Sequence, residues 1–280
     1  MDKSARATED LMPLPLSAFI IARDEADRIG RTIAALRRVA DEIVVVDSGS
    51  TDDTVAIAAS AGARVLHQDW LGYGPQKRFA EDQCTHDWLL NVDADEVLAP
   101  ELVEEIRALF AGAGPRCDAY RISIAEVFPG EAAPALFAYS LAPVRLYDRR
   151  KGRYADSTVH DRVELAPGAT VARLRHKIHH FSIRSLRHEM VKLLAYADRV
   201  ATAAEHRHRR PGALRLVSEF PIAFLKAYVL RRHILRGSYG YAVAINYAYY
   251  RHMRIVAMYE RWLTASQKPA GDDASHRPEA

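Results

Sequence analysis

The sequence is short of several features that would settle its chemistry at once. It has only two cysteines among 280 residues, Cys84 and Cys117, in no metal-ligand spacing. That excludes a disulfide framework and a Cys-based zinc site, and it fits a reducing compartment with buried or neutral thiols. No Gly-x-Ser-x-Gly elbow, no Gly-x-Gly-x-x-Gly and no Gly-Lys-Ser or Gly-Lys-Thr loop occurs, so serine hydrolase, dinucleotide and P-loop readings lose support. The opening MDKSARATEDLMPLPLSAFII carries acids and prolines ahead of its apolar run. It lacks the basic-then-apolar layout of an export signal, and the expectation is a protein that stays inside the cell. In the apolar and basic stretch Pro221 to Trp262, the longest run free of Lys, Arg, Asp, Glu and His is 14 residues, Gly237 to Tyr250. A helix spanning a bilayer needs ~20.

Charge is present but unevenly placed. The net charge is +3, yet Arg173 to Trp262 holds 18 Lys and Arg against 5 Asp and Glu, so this part carries +13 and the rest −10. Such a face is often simply solvated, and it also suits anionic lipid headgroups. No recognised nucleic-acid module accompanies it, and no nucleic-acid partner is expected.

Apolar strands alternate with helical patterns through the first part of the chain. LSAFIIA from Leu16, EIVVVD from Glu42, ARVLH from Ala63 and DWLLNV from Asp87 are separated by helical patterns over Asp27 to Val39, Asp52 to Ala61 and Pro75 to Gln83. This predicts an α/β fold: a mostly parallel twisted sheet with helices on both faces, binding ligands at the carboxyl ends of its strands. From Asp118 the rhythm changes to strand-like pieces, DAYRISIAEVF, PVRLYD and STVHDRVEL, read as an antiparallel edge of the same domain. An amphipathic helix over Leu186 to His206 and two helices in the basic stretch, broken at Gly237 and Gly240, complete the pattern. The expected organisation is a flexible N-terminus (1–15), a catalytic domain (16–184), a basic, helical, membrane-associating extension (185–266) and a disordered tail (267–280).

The sharpest feature is Asp93-Ala94-Asp95-Glu96, directly after the strand WLLNV. Three carboxylates at the tip of a buried strand repel one another and call for a cation. A hard divalent ion shared with substrate phosphates is one answer. Turn and N-cap acids ahead of the helix Pro100 to Phe110 are another, and the motif alone does not separate them. An aspartyl phosphatase also uses Asp-x-Asp after an apolar strand, but on the first strand of its domain, whereas three strands precede this one. Asp47 ends the second strand in VVVDSGSTDDT, on the same sheet edge, where it could accept from a base or ribose or simply cap its own turn.

IARDEADRI, ADEIVVVDSGSTDDT, DWLGYGPQKRFA, DWLLNVDADE, PVRLYD and STVHDRVEL resemble, in order, the landmarks of glycosyltransferase family 2. More narrowly they are similar to the bacterial subfamily that adds glucose or a related hexose to the lipopolysaccharide inner core. The resemblance implies a GT-A fold and an inverting hexosyltransferase. Its donor would be a nucleotide-sugar such as UDP-glucose, and its acceptor a lipopolysaccharide core or lipid-linked saccharide. It would work from the cytoplasmic side as a peripheral protein on the anionic surface of the inner membrane. It further implies that Asp47, Arg23 and Glu25 line the nucleotide pocket, that Asp93 lies near the ribose and diphosphate, and that Asp95, with Asp93, holds Mg²⁺ or Mn²⁺. Arg23-Asp24-Glu25 departs from the usual Asn-Glu-Glu or Asn-Glu-Ala. Gln76 and Lys77 match a Gln-Lys or Gln-Arg pair at a helix start, a reasonable anion site.

Direct displacement at an anomeric carbon requires a carboxylate to take the acceptor proton. The resemblance places this base at Asp161, where Glu is usual, with Glu164 as a fallback. His160 could orient the acceptor or the carboxylate, or be a strand histidine packed beside Tyr154, and Arg145 could reach the diphosphate or acceptor, or be an edge-strand arginine with no such role. His176, His179 and His180 read as surface or core histidines. The alternative function is a membrane-bound scaffold that keeps the nucleotide fold without chemistry.

Overall fold

The computed structural model describes Met12 and residues 14–136, 138–157, 161–205 and 212–267. These fall into two compact units, one running to Ala135 and including Ser140–Ser182, the other containing Leu136–Tyr139 and the residues from Ile183 onward.

In the first unit, β1 (Leu14–Ala22), α1 (Ile29–Leu36), β2 (Ala40–Asp47), α2 (Thr54–Ser60), β3 (Arg64–His67), α3 (Tyr73–Gln83) and β4 (Trp88–Asn91) alternate as the periodicity predicts. The four strands are parallel, in the order β3-β2-β1-β4. β1 and β2 read as unbroken apolar runs because both of their faces are covered. Leu16, Ala18 and Ile20 face the layer holding Ile29, Ile33 and Leu36 of α1. Phe19, Val44 and Val46 face the opposite layer, with Ala80 of α3.

β5 (Glu96–Leu98), α4 (Pro100–Phe110), β6 (Ala119–Glu126), β7 (Ser140–Leu141), β8 (Val144–Asp148), β9 (Gly152–Tyr154), β10 (Val163–Leu165) and β11 (Val171–His180) follow. The later strands join the same sheet, which continues β4-β8-β6-β11-β5 with β7 beside β6. β8 is antiparallel to both neighbours and lies inside the sheet rather than at an edge. β9 and β10 form a separate hairpin. Of the strand expected over STVHDRVEL, Val163–Leu165 is the part that forms a strand among the described residues, and residues 158–160 lie outside them. Ser157, where that run begins, is held by Gly74 in α3, whose N–H donates to Ser157 O at 3.0 Å, and a Cβ on Gly74 would sit 2.0 Å from Ala155 O. Residues 155–157 thus pair with the start of a helix, which only glycine permits so closely.

After β3 the chain crosses back to place β4 on the other side of β1. The crevice outside the carboxyl ends of β1 and β4 is therefore a topological switch point. Arg23 to Glu25, Asp47 and the acidic turn Asp93 to Glu96 all follow strands that end at this edge.

The second unit holds α5 (Leu186–Glu205), α6 (Ala213–Leu225) and α7 (Gly237–Gln267), with a π-helical turn Lys226–Leu230 and a 3₁₀ turn His233–Arg236 between the last two. Small buried residues, among them Ala197, Ala201, Ala223, Ala227, Ala244 and Ala248, line its interior. The break expected at Gly237 and Gly240 begins earlier, at Arg232, whose φ is +62°. Gly240 lies inside α7, where a Cβ would be 2.1 Å from the His233 carbonyl. No helix among the described residues is long and apolar enough to cross a membrane.

Candidate active site

The carboxylates at the tip of β4 are met by cations of the chain itself. Lys77, fully buried one turn into α3, donates from Nζ to Asn91 Oδ1 at 3.0 Å, to Asp93 Oδ1 at 3.1 Å and to both oxygens of Asp161 at 2.9 Å. Arg145, brought beside β4 by the antiparallel β8, donates to Asp93 Oδ2 at 3.0 Å and to Glu96 Oε1 at 2.9 Å, and also to Asn91 Oδ1. Asn91 takes a further hydrogen bond from Tyr154 Oη at 2.6 Å, and the Tyr154 ring lies 5.0 Å from Lys77 Nζ. One amide oxygen thereby aligns three donors, and two of those donors position Asp93 and Asp161.

Burial alone would raise the pKa of Asp93 and of Glu96. Against that, Arg145 and Lys77 hold Asp93 well below the usual range. Burial also opposes the charged forms of Lys77 and Arg145, but Asp93, helped by Asp161 and Glu96 respectively, keeps both firmly protonated. Glu96 is raised by burial and by Asp93, which Arg145 only partly offsets.

Asp95 belongs to a second group. Arg28 NH1 donates to its Oδ2 at 3.3 Å, and His180 Nε2 stands 3.3 Å from its Oδ1. Arg28 also bonds Glu25 Oε2, at 2.8 Å from Nε, and Phe181 O at 3.0 Å. Burial disfavours charge on His180, yet the Asp95 carboxylate, with Glu96 and Asp93 nearby, pushes it up to about 9. Asp95 is in turn lowered, against burial, by His180 and Arg28. His180, expected only to be a surface or core histidine, lies beside the acidic turn, because the β5–β11 pairing sets it opposite Glu96.

Asp47 is buried and accepts from Gly49 N and Ser50 N, each at 3.0 Å, and from Ser50 Oγ. It caps its own turn. That turn is tied to the loop after β1: Asp24 N donates to Ser50 Oγ at 2.9 Å, Thr51 N donates to Asp24 Oδ1 at 2.8 Å, and Glu25 N donates to Thr54 Oγ1 at 2.7 Å. Asp24, at φ +53°, explains the departure at Arg23-Asp24-Glu25: it staples the two loops. Arg23 is exposed, with Asp24 as its nearest ion-pair partner at 3.9 Å. Gln76 is buried apart from the cluster and bonds Gln68 O at 3.0 Å and Leu71 N at 3.2 Å. His160 lies outside the described residues.

Among the described residues no three His, Cys, Asp or Glu side chains come together as a ready-made ion cage. Asp95 and His180 nevertheless offer one oxygen and one imidazole nitrogen facing each other. Mg²⁺ or Mn²⁺ bound chiefly through substrate phosphates needs few protein donors; the Asp95 carboxylate fits that need, and His180, held protonated by Asp95 here, fits it only as the neutral imidazole.

Residues 17–164 match the model of glycosyl transferase family 2. A lipopolysaccharide core biosynthesis glycosyltransferase, LpsC of Rhizobium meliloti (strain 1021), is 33% identical over 279 residues, 94% of this chain and 98% of LpsC. An uncharacterized glycosyltransferase of Rickettsia bellii (strain RML369-C) is 35% identical over 94% of this chain and 92% of its own length. The chain belongs to glycosyltransferase family 2. Its mixed sheet with covering helices is the GT-A fold of that family, and the C-terminal long helix follows it. In this family 2 chain the structure brings together the sequence candidates Asp93, Lys77, Arg145 and Asp161, with Asp95 in the adjoining group and Glu96 present in the sequence reading only as the third acid of its run, whereas Asn91, Tyr154 and Arg28 are not among the candidates. Only Asn91 left a signal, as a polar residue inside an apolar strand.

Proposed function

We propose that this glycosyltransferase moves a hexose, glucose from UDP-glucose, with inversion, to a lipopolysaccharide core or other lipid-linked saccharide at the cytoplasmic face of the membrane. The observation that carries the reading is Asp161 held on the buried Lys77 beside Asp93, at the switch point of the sheet. Likeness to LpsC over nearly the whole chain supports the acceptor class, and the subfamily resemblance supports the donor.

In this reading Asp161, about a third exposed, accepts the proton of the acceptor hydroxyl. The hydroxyl oxygen bonds to the anomeric carbon as the bond to the diphosphate oxygen breaks. Lys77 fixes the Asp161 carboxylate, and Arg145 fixes Asp93 next to the donor. Arg23, Glu25 and Asp47 border the nucleotide on the stapled loops, and Gln76 holds the loop ahead of α3. Asp95 and His180 would hold the divalent ion, which when bound supplies charge neutralisation for the leaving diphosphate. The test is a thermal-shift and UDP-release screen of nucleotide-sugars with Mn²⁺ or Mg²⁺. UDP-glucose should stabilise the protein and turn over, an effect lost with chelator. Stabilisation by another nucleotide-sugar alone would reject the donor assignment, and stabilisation by none would reject the reading as a transferase in favour of a scaffold.

A further inference from the structure

The outer side of α6 is apolar and exposed. Leu214, Val217, Pro221 and Leu225 recur at spacings of three and four residues, one face of a helix. All four are exposed, Leu214 by 81% and Val217 by 78%. The opposite side of the same helix holds the buried Glu219 and Ala223, so this unit's interior is already built without the outer face. More exposed apolar side chains follow α6 in the chain, Leu230 at 74% and Leu235 at 61%. A helix face of exposed apolar side chains on a protein of ordinary composition marks an interaction site.

Charge identifies the partner. From Ala213 to Tyr250 there are five Lys and Arg, namely Arg215, Lys226, Arg231, Arg232 and Arg236, and a single acid, Glu219. That acid is drawn inward: Arg251 Nε donates to it at 2.7 Å, Arg215 Nε lies at 3.3 Å and Arg254 at 3.7 Å. Lys226 and Arg232 are exposed among the apolar residues. Exposed apolar side chains at helical spacing, in a stretch rich in cations and poor in acids, match the boundary between acyl chains and acidic headgroups. A second copy of the chain is a poor occupant, because a two-fold contact would bring together two copies of the same patch, each with an excess of cations and no exposed acid to pair them.

We propose that the outer face of α6 and the turns that follow it form an interfacial docking surface for an anionic lipid bilayer, with Leu214, Val217, Leu225 and Leu230 entering the acyl boundary and Lys226 and Arg232 meeting lipid phosphates. This rests on the membrane-face reading above and assigns it to particular residues. The test is cosedimentation of the full chain with vesicles of phosphatidylglycerol and phosphatidylcholine, or of phosphatidylcholine alone, for the native protein and for Val217→Asp/Leu225→Asp and Lys226→Glu/Arg232→Glu. The native chain should bind the anionic vesicles, and each double variant should lose about tenfold or more of that affinity. All should unfold at the native temperature and release UDP at the native rate. Native binding retained by both variants overturns the docking surface while leaving the membrane reading intact. No native binding overturns both. A native dimer that the Val217→Asp/Leu225→Asp variant dissolves assigns the face to a second copy and overturns the proposal.

Discussion

In the sheet unit Lys77 and Arg145 are buried against Asp93, Glu96 and Asp161, while the apolar side chains of β1, β2 and β4 are almost wholly covered. In the helical unit Leu214, Val217 and Leu225 face outward, and the one acid of its central stretch sits inside among Arg215, Arg251 and Arg254. Burying an ion is costly unless its partner and hydrogen bonds are fixed in advance. A cluster of buried ions at strand tips is therefore tolerated where it holds groups in position for chemistry. Exposing apolar residues in a row costs solubility, and it is tolerated where another surface covers them.

Breaking the buried side of this contrast should have the largest effects. Asp95→Ala should abolish transfer and divalent-metal-dependent donor binding, read by UDP release and by titration of the donor with and without chelator. Lys77→Met leaves Asp93 and Asp161 without their shared cation, and should lower stability by about 3–5 kcal/mol in denaturant unfolding, along with loss of transfer. Gly74→Ala forces the start of α3 away from Ala155 O and should cost about 1–3 kcal/mol by overpacking, with transfer slowed because Lys77 and Asp161 lie on the two displaced segments.

The exposed side should be nearly silent in the same assays. Leu90→Ala, in the core, should cost about 2–5 kcal/mol, whereas Leu225→Asp should stay within about 0.5 kcal/mol. A large loss at Leu225 would mean that its face is internal after all. The smallest effect concerns pH. Burial would raise Glu42, but bonds from Ser17, Arg64 and Thr85 bring it from an ordinary 4.5 down to about 2. Its contribution is present above pH 4.5 and fades as pH falls through about 2. Glu42→Gln should flatten that part of the acid-unfolding curve.

Most of the sheet was legible because apolar runs with β-branched residues alternate with helical spacing, and the acids after β2 and β4 mark one edge. The partners of those acids were not. Arg28 is 67 residues from Asp95, and His180 reaches it only through the β5–β11 register. The repulsion among Asp93, Asp95 and Glu96 points to a nearby cation, but nothing in the run itself shows that Lys77, Arg145, Arg28 and His180 of the same chain answer part of that demand. In the helical unit the composition revealed an apolar and basic stretch, but not which face of α6 would remain uncovered, since both of its sides are apolar.

The central claim is that Asp161, held by Lys77, takes the acceptor proton. Asp161→Asn keeps the side chain's size and removes the base. Steady-state transfer of glucose from UDP-glucose to the lipopolysaccharide core acceptor should fall by about 10²–10⁴-fold, with donor affinity and unfolding temperature unchanged. Turnover close to that of the native protein would contradict it.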